Sequence, residues 1–183
     1  LVAMNPSALK TQIKFCKPQG LIITDSDSFE ARDLEKAQFK TDNPFEELGI
    51  KQEVLEVPIS SMCKESLKDS GLDNKSALRC KNMFALGICL YIYNRPLDHV
   101  RHYLDTKFGK KNPAVAEANK RVLDAGFNYA ANTHQFANTY TVAPAELERG
   151  TYRSINGNVA TAWGFIAASE KSGRPLFCGS YPI

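Results

Sequence analysis

The chain is poor in the residues that most often announce chemistry, with three histidines and one tryptophan in 183 residues. Its five cysteines, Cys16, Cys63, Cys80, Cys89 and Cys178, are odd in number, and no two are spaced C-x-x-C. That excludes a disulfide framework and gives no zinc or iron–sulfur ligand spacing. Long apolar runs are missing too. The longest, Met83 to Tyr93, includes Gly87 and is far short of the ~20 residues a membrane span needs. No strong charge of one sign exists: 23 basic residues face 20 acidic ones, for a net charge of +3. The densest basic cluster, Lys107 with Lys110 and Lys111, reads as a solvated helix end, so a nucleic-acid partner is not expected. Walker A, G-x-G-x-x-G and G-x-S-x-G patterns are all lacking. The first residues do not read as a signal peptide, and free cysteines suit a reducing compartment, so the expectation is a cytoplasmic protein.

What remains is ordinary globular material, 43% hydrophobic and 23% charged. Leu1 to Met4 reads as a strand. Asn5-Pro6 supplies a cap and a first-turn proline for a helix to about Cys16, and Leu21-Ile22-Ile23 reads as a second strand. Strand, helix and strand in so short a span make a βαβ unit, hence a parallel sheet and an α/β fold. A polar excursion from Phe29 to Lys51, with weak helix, precedes a third strand over Glu53 to Ile59. A short helix and turn cover residues 60 to 71. Asp73 predicts a cap for one long helix to about Tyr93, apolar on all sides from Met83 onward and therefore buried. Gly87 inside it suits close approach of another backbone. Pro96 starts a helix to Phe108, and Asn112-Pro113 starts one to about Ala125, with Gly126 as its stop. Residues 132 to 150 read as linker. A last helix over Asn158 to Lys171, ended by Gly173, leads to a strand at Leu176 to Cys178.

Four features are weighed as candidates for chemistry. Asp25 and Asp27 fall at the carboxyl end of a strand, where open α/β sheets bind ligands, although such residues more often cap turns and helices. His99 and His102, near Asp98 and Asp105, are three apart rather than the four of the zinc helix motif, and read as a solvated face. His134 has no acid–base partner in sequence. Asn156-Gly157-Asn158 opens a helix whose N–H groups suit a phosphate. No metal site and no catalytic residue is assigned. These residues leave three function classes open: a piece of a large enzyme subunit, a small ligand-binding α/β module, or a structural interaction domain. The apolar ends, and the absence of Met at position 1, suggest a piece of a longer protein.

Six segments in order carry a resemblance. They are Val2-Ala3-Met4-Asn5-Pro6, Val57-Pro58-Ile59, Cys80-Lys81-Asn82-Met83-Phe84-Ala85-Leu86-Gly87, Arg95-Pro96-Leu97 and Val115-Ala116-Glu117-Ala118-Asn119. The sixth runs from Tyr152-Arg153 through Gly157-Asn158 to Gly179-Ser180-Tyr181-Pro182-Ile183. Together they resemble the alpha subunit of 2-oxoacid:ferredoxin oxidoreductases, thiamine-diphosphate enzymes. The resemblance implies that residues 1–143 are the C-terminal part of a parallel-sheet gamma-type domain. Residues 144–150 would be a linker, and residues 151–183 the first helix and strand of a pyrimidine-binding domain. It also implies CoA-dependent oxidative decarboxylation of a 2-oxoacid, with ferredoxin as electron acceptor. A gamma-type module ahead of the Tyr-Pro-Ile motif favours 2-oxoglutarate. Thiamine diphosphate, magnesium and the iron–sulfur cluster would be held mainly by a beta subunit, with none on the isolated chain, which would be inactive. Tyr181 and Pro182, with Gly179, Ser180 and Ile183, would lie against the cofactor ring. One departure stands: the family usually has Thr-Gly-Asn-Glu-Ala where this chain has Asn156-Gly157-Asn158-Val159-Ala160. No contact is therefore carried over for that glutamate. The alternative is a stand-alone module that binds coenzyme A or a nucleotide, or that only joins subunits.

Overall fold

A computed structural model describes residues 1–136 and 138–179. The chain divides into two compact units, Leu1–Ala143 and Pro144–Ile183. Unit 1 is built on three parallel strands in the order β1 (Val2–Ala3), β2 (Leu21–Asp25) and β3 (Glu53–Val57). Ile22 sits beside Val54 and Ile23 beside Leu55, so the alternation of each strand points consecutive residues to opposite faces.

One face carries α1 (Pro6–Gln12) and the excursion helices α2 (Ala31–Lys36) and α3 (Pro44–Glu47). Ala3, Leu9 and Ile22 form its core, with Phe45, Ile50 and Val54 against them. Asn5 caps α1 by accepting the Ala8 N–H at 2.8 Å, and Pro6 follows as the sequence predicts. The other face carries the main core: Ile23 and Val57 pack with Ile59, Cys63, Phe84, Ile88 and Val122. These come from α4 (Ile59–Ser66), α6 (Lys81–Ile92) and α8 (Pro113–Thr133), with the short α5 (Asn74–Leu78) between the first two. After α6 come α7 (Asp98–Leu104) and a π-helical turn over Asp105–Gly109.

Two helix predictions change. Asp73 does cap a helix, accepting from Ser76 N at 2.9 Å, but that helix is only α5. Tight i→i+3 bonds from Arg79 N to Ser76 O (3.2 Å) and Cys80 N to Ala77 O (2.9 Å) turn the chain before α6. The turn lets the apolar α6 run through the core instead of continuing a half-exposed helix. Gly126 does not stop α8, which runs on to Thr133 and ends where His134 takes a left-handed φ of 54°. Gly126 is instead a contact point. A Cβ there would fall inside the backbone of Phe84, 2.7 Å from its carbonyl carbon, and one at Gly87 would lie 2.7 Å from Phe127 N. The two glycines let α6 and α8 touch backbone to backbone, as expected for Gly87.

Unit 2 holds one long helix, α9 (Gly157–Ser172), capped by Asn156, whose Oδ1 accepts the Val159 N–H at 2.9 Å. Gly173 ends it at φ 67°, as predicted. The predicted strand Leu176–Cys178 is not a strand. It pairs with nothing among the described residues, and Phe177 is 93% exposed. A single extended segment with no neighbour to bond does not make a sheet. No residue of α9 is buried.

Candidate functional site

The structure gathers one polar cluster at the carboxyl end of β2. Alternation places Asp25 on the same sheet face as Leu21 and Ile23, beside Val57 at the end of β3. The chain then passes through Pro58 directly into α4. Proline offers no side-chain acceptor, so α4 begins without a cap of its own.

Two carboxylates from the neighbouring strand end supply it. Asp25 accepts from Ser60 N at 3.1 Å and from the Ser60 hydroxyl at 2.6 Å. Asp27 accepts from Ser61 N at 2.6 Å and from the Ser61 hydroxyl at 2.9 Å. The negative charges also sit at the positive end of the α4 dipole. The first residue of α6 completes the cluster. Lys81 Nζ lies 3.0 Å from Asp25 Oδ2 and 3.3 Å from each of the Ser28 and Ser60 hydroxyls. Ser28 donates to Asp25 at 2.9 Å.

Asp25 is fully buried while the Lys81 side chain is 26% exposed. Burial alone would raise the Asp25 pKa. Hydrogen bonds from the Ser60 hydroxyl and N–H, then Lys81 and Ser28, outweigh it and hold the carboxyl below its ordinary range. A carboxylate with four donors and a depressed pKa is a poor proton acceptor. The adjoining cleft, about 400 Å³, is lined by Asp27, Glu30, Lys64 and Lys81 together with serine hydroxyls. Its charges balance, two against two. No histidine or cysteine lines it. The cluster can therefore hold β2, α4 and α6 together, and its cleft carries no excess charge of one sign. Of the two sequence readings of Asp25 and Asp27, helix capping is the one the geometry gives. Ser28, Ser60, Ser61 and Lys81 were not visible as partners in the sequence. The available signal was Pro58, a helix entry with no acceptor of its own.

The other candidates stay apart. His99 and His102 are exposed on α7, but their acidic neighbours point elsewhere: Asp98 and Asp124 pair with Arg101 at 3.7 and 2.8 Å, and Asp105 pairs with Lys120 at 2.9 Å. Lys107 of the basic cluster donates to the Tyr103 hydroxyl at 2.9 Å. Among the described residues no three His, Cys, Asp or Glu side chains are grouped to hold a metal. Cys63 and Cys80 are buried, Cys16 and Cys89 half-buried and Cys178 exposed. Burial pushes the Cys63 thiol up to about 11. At the start of α9 the Asn156 side chain already takes the Val159 N–H, and Arg153 lies 5.5 Å over the Trp163 ring. Gly179 is exposed, whereas Ser180, Tyr181, Pro182 and Ile183 lie outside the described residues. Among the described residues no helix is long and apolar enough to cross a membrane.

Residues 1–129, most of unit 1, match the family of pyruvate ferredoxin/flavodoxin oxidoreductases. The chain belongs to this family. Similarity extends past the family match: 2-oxoglutarate oxidoreductase subunit KorA of Mycobacterium tuberculosis is 41% identical over 184 aligned positions, covering all of this chain and 28% of that protein. Among solved structures, the 2-oxoglutarate:ferredoxin oxidoreductase of Magnetococcus marinus, with 2-oxoglutarate, coenzyme A and succinyl-CoA bound, matches 78% of this chain and 21% of its own, with a TM-score of 0.51. At 23% identity that likeness shows the fold alone, an α/β arrangement. The chain spans about a quarter of the length of these relatives.

Proposed function

We propose that this chain is a segment of the larger subunit of a 2-oxoglutarate:ferredoxin oxidoreductase, which decarboxylates a 2-oxoacid oxidatively and passes the acyl group to coenzyme A. The observation that carries this reading is the 41% identity to KorA across the whole chain. Residues 1–143 then serve as gamma-type domain, residues 144–150 as linker, and residues 151–183 as the opening of the pyrimidine-binding domain. Gly179, Ser180, Tyr181, Pro182 and Ile183 are the residues proposed to approach the thiamine ring, with a beta subunit across from them.

Thiamine diphosphate would supply the carbanion that attacks the 2-oxo carbon. The described residues offer it no complementary donor set. Asp25 already accepts four hydrogen bonds, from Ser60, Ser28 and Lys81, Asp27 accepts two from Ser61, and among the described residues the cysteines are not grouped. The resemblance to the family supports placing the diphosphate, magnesium and iron–sulfur cluster mainly in a beta subunit. The contribution of unit 1 is a rigid body presented to the partner, held by the Asp25 cluster and the α6–α8 contact.

The test is the full-length protein produced with its beta subunit, assayed for CoA-dependent ferredoxin reduction with 2-oxoglutarate, pyruvate and indolepyruvate. The expected result is the highest kcat/KM with 2-oxoglutarate. Equal or better rates with another acid overturn the substrate assignment. Absence of activity with all three, beside tight coenzyme A binding by the isolated chain, would favour the stand-alone binding module.

A further inference from the structure

We draw no further inference here: the strongest candidate, the apolar groove of about 580 Å³ lined by Phe15, Cys16, Cys89, Tyr93 and Tyr140 beside the β1 edge, is an unpartnered face, and nothing in the structure shows what covers it.

Discussion

Two helices of similar composition behave in opposite ways in this chain. α6 and α9 are both apolar around much of their circumference, and both contain an internal glycine. In α6, Phe84, Ala85, Gly87, Ile88 and Ile92 are buried. In α9, Trp163 is 45% exposed, Phe165 57% and Ile166 50%. The difference lies in what surrounds them. Unit 1 supplies a sheet, a crossing helix and a charged latch, whereas unit 2 supplies one helix and extended chain. A helix apolar all round needs cover on every side. Unit 1 provides that cover from its own residues. Unit 2 does not among its described residues, where no residue of α9 is buried.

The latch gives the largest way to break this contrast. Asp25→Ala removes the buried acceptor of Ser60, Ser28 and Lys81, and leaves the Lys81 ammonium without its ion-pair partner. Breaking a buried pair on one side costs about 3–5 kcal/mol. Chemical denaturation followed by circular dichroism should show that loss in unit 1. The same cluster predicts a pH dependence. Because the folded-state pKa of Asp25 lies below its ordinary value, the unfolded chain takes up the proton more readily. The latch's stabilisation is therefore complete above the ordinary carboxylate pKa of about 4 and is lost as the pH falls below it, through the depressed folded-state pKa. D25A should lack this component of the acid destabilisation.

Glycine substitutions should have opposite signs in the two units. Gly126→Ala places a methyl inside the Phe84 backbone and forces α6 and α8 apart, at a cost of about 3 kcal/mol, the upper end for overpacking. Gly164→Ala in α9 meets nothing within 4 Å and gains about 1 kcal/mol of helix propensity. Thermal unfolding of G126A and helicity of G164A read the two effects. A destabilised α9 on G164A would mean that this helix packs closely in solution.

Thiol labelling sharpens the contrast at lower cost to the fold. Cys178 is exposed, whereas burial raises the pKa of both Cys63 and Cys80. Only the thiolate reacts, so maleimide should modify Cys178 first and reach Cys63 and Cys80 only on unfolding. Mass spectrometry of labelled peptides checks the order.

Much of unit 1 was legible because local signals coincided with tertiary need. Asn5-Pro6 and Asn112-Pro113 opened helices where they should, and the alternation in 53–57 gave β3. Failures came where a residue serves a distant contact. Gly126 carries the signal of a helix end, yet its missing side chain is used by Phe84 on another helix. Asp25 and Asp27 were readable as capping residues, but the helix they cap starts more than 30 residues later. Leu176 to Cys178 has strand composition, and composition alone does not supply a neighbouring strand. The proposed site at Gly179 to Ile183 rests on the sequence resemblance, since Ser180, Tyr181, Pro182 and Ile183 lie outside the described residues. Ordered motifs across the whole chain pointed to the family, while the structure contributed the fold and the scaffold role of the Asp25 cluster.

Amide hydrogen exchange of the isolated chain tests the central contrast most directly. The account predicts strong protection across 81–92 and 113–133 and rapid exchange across 157–172, whose hydrogen bonds have no packed layer over them. Comparable protection of all three helices would contradict it, because unit 2 would then cover its own apolar surface.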